Sequence, residues 1–479
     1  MENYAENAQS EYMDWKSVSL ELIGNPDSLE LWEKLVERAE LPNGKPLSKA
    51  SSSESVSILR LTYNSLLAKF PLLEKYWIKY ANFEFKNGNT TESIAIWEKA
   101  VAQVPYSLEI WIEYAKFLIS VEGDDDKVLG FLERARTYIG KHYHCHEFYD
   151  LYLRFLKERG ENDIKFMKLY ALLLRHIIEI PIYHYSKFFK QFLADVIESG
   201  EYEAIIPYND RQKFEKKDKN SISKLKKIFT DVYISTQYKS YDLYEFEQRL
   251  GRQYFHVAFL LKEQLGHWNS YLEFIDLKYP ELSDLTYHRC IVATGMYGDF
   301  WLRYSDRLSE KSHLEETKQI LRKGIHIVPM TRNGQLIERL IKIHLFQGNV
   351  INARDIIVEN LKLFPNNLAM KLQLLNIEIL IHHDDEEYIF KLLSDIASDS
   401  NDAPVLYGEV LKYDLSYEKM KKFFKESTIK NCEYYQAFIE LIVLHEGATK
   451  EAADLLKQGE QLNGFKSKWS GFLGVQNTT

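Results

Sequence analysis

An aromatic pattern recurs along the chain at intervals close to 34 residues, and it constrains the fold more strongly than any other feature. It consists of a tryptophan or tyrosine, a tyrosine three residues later and usually a phenylalanine after three more, as in Trp77–Glu84 and Trp111–Phe117. With about 100° between successive residues of a helix, these positions lie within roughly 160° of arc. The pattern therefore predicts helices with one wide apolar face. The aromatic residues predicted to form the repeat core are Trp77, Tyr80, Trp111, Tyr114, Tyr152, Trp268, Tyr271, Trp301 and Tyr304.

A second amphipathic segment follows each copy of the pattern, as in Ser93–Val101, and a proline often comes after it. Pro71 and Pro105 each lie six residues before the next tryptophan. Because proline cannot continue a helix, it marks the end of one helix and the start of the next. The unit is a helix–turn–helix of 34 to 38 residues, too small to bury its own apolar face. We therefore predict an all-α fold, an α-solenoid of stacked helix pairs.

The composition agrees with a helical, globular protein. Of 479 residues only 21 are glycine and 11 proline, so many short strands joined by tight turns are not expected. Hydrophobic residues make up 45% of the chain, which is enough for a large core. Because the net charge is −9, we do not expect the protein to wrap nucleic acid over most of its surface. Any such contact would use a local basic patch.

Targeting signals and cysteine usage bear on the compartment. The three cysteines lie far apart and form no CxxC pair, which is typical of a reducing compartment. The first residues are acidic and polar and do not resemble a secretory or transit signal. No apolar run approaches the length of about 18 residues that a membrane-spanning helix needs. We expect a nuclear or cytosolic protein that makes no contact with a membrane.

The chain contains none of the common motifs for nucleotide binding, serine hydrolysis or zinc-dependent hydrolysis. Its carboxylates are distributed as solvated helix faces, so none is expected to have a tuned pKa. We therefore predict a protein that is not an enzyme and uses no cofactor or metal. Two histidine clusters, Lys141–His146 and His382–Asp385, are expected to be structural or solvent-exposed. His142 and His146 would share one helix face, yet no further ligands with zinc-site spacing follow.

Two stretches interrupt the repeats. Residues 42–55, which contain two prolines and many serines, indicate a flexible loop. A basic, apolar-poor segment near residue 210 separates two arrays of repeats. The predicted divisions are an N-terminal tail at 1–14, an N-terminal array at 15–205, a basic linker at 206–229, a C-terminal array at 230–465 and a tail at 466–479.

The basic residues of this linker are candidates for contact with RNA phosphates or with an acidic partner. The alternative is a solvated linker that binds nothing. Apart from Phe214, no aromatic residue is interleaved with them, so an RNA contact here would be electrostatic and would not read sequence. The candidate residues are Arg211, Lys213, Lys216, Lys217, Lys219, Lys224, Lys226 and Lys227.

The segment Cys432–Leu444 has apolar residues around more than half of its helical circumference. The last helix of a solenoid normally has a polar outer face, so this helix needs a second partner to cover it. One interpretation is a dimer interface in the C-terminal array. The alternative is that Ala448–Leu473 folds back and covers the second face within one chain. The candidate interface residues are Tyr434, Tyr435, Phe438, Ile439 and Ile442.

The repeat itself resembles a known type. Trp-x-x-Tyr-x-x-Phe-Glu, followed by a short second helix and a proline, is similar to the HAT (half-a-TPR) repeat. An ordinary TPR also has a 34-residue period, but TPRs place small Gly and Ala at the tight packing points, where this sequence has Trp and Tyr. The resemblance to HAT repeats implies an RNA-processing factor, by analogy of fold alone.

Three further blocks resemble the pre-mRNA-processing factor 39 family, whose members are HAT proteins of the U1 snRNP. They are Arg252–Val257 with Gln264–Phe274, His288–Tyr304, and Ile178–Phe188. The resemblance implies a non-enzymatic scaffold in the nucleus that organises U1 snRNP proteins for 5′ splice-site recognition. It also implies mostly indirect contact with U1 RNA or pre-mRNA, and pairing through the C-terminal repeats with itself or with a factor 42-type paralogue.

Some residues depart from the family pattern, notably Gln253 in place of proline and Ala258-Phe259 in place of Lys-Pro. These departures leave the factor 39 and factor 42 types both open. Two other functions remain as alternatives. One is a HAT scaffold of the pre-mRNA 3′-end cleavage machinery, against which the Tyr254–Val257 block argues. The other is direct binding of single-stranded RNA by the basic linker.

Overall fold

The computed structural model describes residues 15–49, 51–200, 202–207, 214, 219–382, 385–413 and 415–473, and every regular element within them is a helix. The all-α prediction is therefore confirmed. The chain forms two compact units, Met1–Asn333 (unit 1) and Gly334–Thr479 (unit 2). Among the described residues, no helix is both long enough and apolar enough to cross a bilayer.

Unit 1 consists of helices that pack consecutively along the chain. A π-helical segment, Leu193–Glu198, directly follows the helix Tyr185–Phe192. The helices are α1 (Trp15–Gly24), α2 (Leu29–Glu40), α3 (Ser53–Lys69), α4 (Glu74–Lys86), α5 (Thr90–Gln103), α6 (Leu108–Val121), α7 (Asp125–Ile139), α8 (His146–Gly160), α9 (Ile164–Ile177), α10 (Tyr185–Phe192), α11 (Lys219–Glu247), α12 (Lys262–Lys278), α13 (Ser283–Thr294), α14 (Gly298–Glu310) and α15 (Leu314–Ile327).

Several repeat tryptophans form a hydrogen bond to the turn that precedes their own helix. In four repeats the indole N–H donates to the carbonyl oxygen six residues earlier, at 2.8 to 2.9 Å. In three of the four that carbonyl belongs to a proline, so the proline both ends one helix and accepts the bond that positions the next. The pairs are Trp32–Pro26, Trp77–Pro71, Trp111–Pro105 and Trp301–Gly295.

All nine aromatic residues of the predicted repeat core are buried. The tyrosines among them carry a hydroxyl that needs a partner when it is buried. The hydroxyl of Tyr114 donates to Glu98 at 2.8 Å, and that of Tyr271 donates to Glu247 at 2.7 Å. The rings of these aromatic residues thus pack helices together. Their tyrosine hydroxyls form hydrogen bonds to acidic residues on neighbouring helices.

Unit 1 is held together by contacts between its early and late helices. Tyr106, in the turn before α6, stacks on His288 of α13 with ring centroids 4.6 Å apart. The Nζ of Lys323 on α15 donates to the carbonyl of Gln103, at the end of α5, at 3.3 Å. Through these contacts the late helices α13 and α15 pack against the first repeats, within the same compact unit.

The compact units therefore divide between Asn333 and Gly334, whereas the predicted arrays divide at the linker 206–229. Residues 219–229 form the first turns of α11, a helix of 29 residues. This helix packs on the preceding repeats, where the Thr236 hydroxyl donates to the Ile178 carbonyl at 2.7 Å. The predicted tail 1–14 lies outside the described residues, as do 474–479. The array limits stay predictions.

The predicted loop at 42–55 is shorter than expected. Pro42–Gly44 forms a 3₁₀ turn, and α3 begins at Ser53. The hydroxyl of Ser52 caps that helix by accepting a bond from the Ser55 N–H at 3.2 Å. A serine-rich run therefore serves in part as a helix start, which is a common use of serine.

Unit 2 is a second helical array with its own core, which includes Leu393, Tyr407 and Phe424. An ion pair between Arg354 and the buried Glu378, with N and O 2.6 Å apart, links its second and third helices. The helices are α16 (Gly334–Phe346), α17 (Val350–Leu363), α18 (Leu368–Ile381), α19 (Glu386–Ala397), α20 (Ala403–Val410), α21 (Tyr417–Glu426), α22 (Cys432–Glu446) and α23 (Lys450–Gly459).

Candidate interaction surfaces

Half of the candidate basic residues lie on α11. Lys219, Lys224, Lys226 and Lys227 occupy its first turns. Lys226 forms an ion pair with Glu198 at 2.5 Å, whereas Lys224 and Lys227 are exposed. The remaining candidates lie outside the described residues. They are Arg211, Lys213, Lys216 and Lys217.

The same helix presents tyrosines that the sequence analysis did not connect with the basic residues. Tyr238 is 71% exposed and Tyr241 is 63% exposed, which is unusual for such large side chains. At about 100° per residue, they share an arc of about 100° with Lys224 and Lys227. Between Lys224 and Tyr241 the one acidic residue is Asp231, and Asp242 and Glu245 lie in the same arc just beyond Tyr241. We refer to Lys224, Lys227, Tyr238 and Tyr241 as the α11 face.

The five candidate dimer residues on α22 lie in the core of unit 2. Tyr434, Tyr435, Phe438, Ile439 and Ile442 are all buried within the single chain. One side of the helix packs on α20 and α21, and the other is covered by α23 and the segment that follows it. The premise of an uncovered apolar face is therefore wrong.

The fold-back alternative describes this region correctly. The amide of Gln436 donates to the Lys466 carbonyl at 2.9 Å, and Lys468 reaches Glu440 at 2.6 Å. Both bonds hold the segment after α23 against α22. Dimerisation through the C-terminal repeats stays a prediction, and it needs residues other than these five.

We expect the double variant Phe438→Glu, Ile442→Glu to unfold unit 2, because each substitution buries a carboxylate with no partner. Circular dichroism melting and limited proteolysis would report the loss. Leu444→Glu on the same helix is the matched control, because Leu444 is 64% exposed and should tolerate the charge. A folded double variant that changes only in molecular mass by light scattering would restore the interface interpretation.

A buried ion pair in unit 1 was not foreseen from the sequence. Arg289 of α13 donates to both carboxylate oxygens of Glu247, at 2.6 and 2.8 Å, and to Gln253 at 2.9 Å. Burial alone would raise the pKa of Glu247, but the charge and bonds of Arg289, with the bond from Tyr271, hold that pKa below its usual value. A motif search misses the pair because its members lie 42 residues apart.

The first histidine cluster lines a cavity of about 450 Å³ in unit 1. His142 is only 7% exposed, and its Nδ1 accepts a bond from the His144 N–H at 3.1 Å. Burial holds the pKa of His142 well below its ordinary value, so the ring is neutral. Within the described part of the chain, no group of three or more residues is arranged to hold a metal ion.

The second histidine cluster is only partly described. His382 follows α18, and its Nε2 lies 3.4 Å from a carboxylate oxygen of Glu378. His383 and Asp384 lie outside the described residues. Glu378 is already paired with Arg354, so His382 is a peripheral member of a structural ion pair.

Consecutively packed helices with buried Trp and Tyr positions and the tryptophan-to-turn bond define an α-solenoid of HAT repeats. The chain matches the model of the PRP39 N-terminal HAT repeat over residues 16–194 and that of the PRP39 C-terminal HAT repeat over 242–379. It therefore belongs to the PRP39 family of HAT-repeat proteins.

Curated relatives agree with this assignment. The chain is 27% identical to pre-mRNA-processing factor 39 of Schizosaccharomyces pombe, covering 78% of this chain and 65% of that one. It is 28% identical to the U1 small nuclear ribonucleoprotein component PRP42 of Saccharomyces cerevisiae, covering 65% and 60%. The chain thus spans less than two thirds of the length of these two relatives. Human pre-mRNA-processing factor 39 is 22% identical, covering 96% and 72%.

Among solved structures, the chain is similar to the crystal structure of CSTF-77. The TM-score is 0.45 and the sequence identity 12%, covering 81% of this chain and 88% of that one. Relatives of the factor 39 type and of the factor 42 type match at nearly equal identity, 27% and 28%.

Proposed function

We propose that this protein is a non-enzymatic scaffold subunit of the U1 snRNP in the nucleus, where it organises protein partners for recognition of the 5′ splice site. The observation that carries the proposal is the match to both PRP39 repeat models, which together span about two thirds of the chain. The named relatives support it, because one of them is a U1 small nuclear ribonucleoprotein component.

The mechanism would be geometric. In a solenoid each repeat is stabilised by its neighbours, so bound partners are held at spacings set by the number of repeats between them. The contacts from Tyr106 to His288 and from Gln103 to Lys323 link early and late helices of unit 1, which would make it stiffer than an array without such contacts. A stiff body is suited to holding two partners in fixed relation without chemistry of its own.

Purification of the tagged full-length chain from nuclear extract, followed by sequencing of the associated RNA, tests this function. We expect U1 RNA to dominate, with U1 snRNP proteins in the same eluate. A tag-only purification is the control. Recovery of 3′-end cleavage factors without U1 RNA would contradict the proposal and favour the other HAT scaffold.

The α11 face supports a second candidate function, direct contact with single-stranded RNA. Exposed tyrosines offer planes on which bases stack, and lysines on the same stripe can contact phosphates. Lys224, Lys227, Tyr238 and Tyr241 combine both features on one helix. The basic segment itself has almost no aromatic residues, but Tyr238 and Tyr241 follow it on the same helix.

Two variants separate the components of this RNA contact. Replacing Lys224 and Lys227 by glutamine should reduce the slope of log affinity against log salt by about 1.4, at about 0.7 per phosphate contact on single strands. Replacing Tyr238 and Tyr241 by alanine should weaken binding about tenfold or more at an unchanged slope, since stacking contributes about 1–3 kcal/mol per base.

Fluorescence anisotropy with an oligouridine measures both effects. Lys16→Gln with Lys34→Gln is the charge-matched control, because both lysines are exposed and lie on other helices, α1 and α2. Equal effects from the control and from the α11 lysines would show that the binding is non-specific and would leave the protein without an RNA site on this helix.

A further inference from the structure

The cavity in unit 1 lies where three helices begin. Glu74 opens α4, Glu109 lies in the first turn of α6 and Glu147 lies in the first turn of α8, and all three line the cavity. The opposite wall is formed by residues of the later repeats, including His288 and Arg289. A single concave site is thus built from residues that lie more than 200 positions apart in the sequence.

The charges in this cavity are unbalanced. Its two cationic side chains are already paired, Lys116 with Glu113 at 2.7 Å and Arg289 with Glu247 at 2.6 Å. Among the described residues, no cation forms an ion pair with the three helix-opening glutamates. Each helix N-terminus supplies only about half a positive charge, so the helix dipoles offset about half of the three carboxylates. The cavity therefore keeps a net negative charge.

Among the three glutamates, Glu74 is the one whose charged form is destabilised by burial. Burial raises its pKa to about 7, the hydrogen bond from Ser107 opposes that rise and the charge of Glu109 adds to it. A carboxyl group in this environment is stabilised by any cation that enters beside it. Near pH 7 the Glu74 carboxyl is therefore about half protonated, and a cation beside it would favour the charged form.

A second polar group points to a ligand. His142 is 7% exposed and lines the cavity, and because its Nδ1 accepts the His144 N–H, its Nε2 carries the hydrogen. Within the described residues that Nε2–H has no hydrogen-bond acceptor. That Nε2–H keeps accessible surface, so it can donate to a carbonyl oxygen of a segment that enters the cavity.

The aromatic wall favours a planar cation. Tyr106 and His288 stack on each other at the cavity, and the pKa of His288 is lowered to about 3 by burial and by Lys323, so that ring is neutral. A guanidinium can lie on such rings while its fork of N–H groups reaches carboxylates on two helices. An ammonium group also makes cation–π contacts, but it lacks the planar fork that bonds two carboxylates at once.

We propose that this cavity binds an arginine side chain presented by an extended segment of a partner protein. The guanidinium would lie between Glu74 and Glu109, and a backbone carbonyl of the segment would accept the His142 Nε2–H. A volume of about 450 Å³ admits an arginine side chain with part of its backbone. The proposal does not depend on which particle the protein joins.

Paired peptides test the site on the full-length chain. The probe is a fluorescent nonapeptide of glycine and serine with one central arginine, and its partner carries citrulline, which has the same shape without the charge. We expect the arginine peptide to bind at least about tenfold more tightly, equal to about 1.4 kcal/mol. Absence of saturable binding, or equal binding of the two peptides, would overturn the proposal.

Variants locate the binding. Glu74→Gln with Glu109→Gln should abolish the preference for arginine with little change in melting temperature, since the relief of carboxylate repulsion is offset by the loss of favourable interactions with the helix N-termini. Glu158→Gln with Glu161→Gln is the charge-matched control, because both glutamates are exposed at the other end of α8. An equal loss in the control and in the cavity variant would show that the peptide binds by overall charge, which contradicts the site.

Discussion

Replacing Trp111 by alanine should lower the free energy of unfolding by about 3–5 kcal/mol, the range for a buried tryptophan truncated to alanine. The ring is 1% exposed, stacks on Tyr138 with centroids 5.4 Å apart and lies beneath the Arg134 guanidinium. The change also removes the indole bond to the Pro105 carbonyl. The damage should be greatest in α5 to α8, because a repeat stabilises its neighbours first.

Thermal melting followed by circular dichroism, together with hydrogen exchange, measures the size and the place of this effect. Leu277→Ala is the control, since Leu277 is 88% exposed and its truncation should change the free energy of unfolding by less than about 0.5 kcal/mol. A melting curve identical to that of the wild type would contradict the role of the aromatic stripe in packing.

The local part of this fold could be predicted from the sequence because it has a period. A spacing of three to four residues decides which side chains share a helix face, so burial of Trp77, Trp111 and Trp301 followed from the pattern alone. Even here the reason for the preceding proline was incomplete. Proline ends a helix, but its carbonyl also accepts the indole bond of the next repeat.

Contacts between helices that lie far apart in the sequence could not be predicted, because they do not recur with a period. Lys323 bonds a carbonyl more than 200 residues earlier, and no repeat pattern records which distant helix it meets. The position of the unit boundary depends on such contacts. The same limit applies to the cavity, because its two walls come from the first and the later repeats.

The α22 helix shows the limit in another form. Apolar residues all round a helix indicate that every side is covered, but the pattern does not say by what. Phe438 and Ile442 are covered by the same chain, where Phe465 and Trp469 pack against the core of unit 2. A second copy of the chain and a folded-back segment would both require apolar residues on this side of the helix, so its sequence does not distinguish them.

Replacing Arg289 by alanine should destabilise unit 1 by about 3–5 kcal/mol, because it leaves the Glu247 carboxylate buried without its counter-charge. Both side chains are buried, and water entering from the adjoining cavity cannot supply the positive charge of the guanidinium. The double variant Arg289→Met, Glu247→Leu is the control. It removes both charges at similar volume, and we expect it to be milder than the single change.

We expect the stability difference between the wild type and Arg289→Ala to depend on pH. In the wild type the pKa of Glu247 is lowered, so the stability from the pair is present above the unfolded value of about 4.3 and is lost as pH falls through the folded value. In Arg289→Ala the counter-charge of Glu247 is lost, so burial raises the pKa of this carboxyl against the remaining bond from Tyr271. The folded variant then takes up a proton more readily than the unfolded chain, and its deficit shrinks as pH falls.

Urea unfolding of wild type and variant at about pH 7.5 and about pH 5 measures that change, since the two values bracket the raised pKa expected for a buried carboxyl. His144, with its Nε2 3.7 Å from Glu247, acts in the same direction because its protonation would supply a replacement charge. The deficit should therefore be largest at the higher pH. A deficit that does not depend on pH would show that Arg289 stabilises unit 1 by packing, and a double variant as unstable as the single one would lead to the same conclusion.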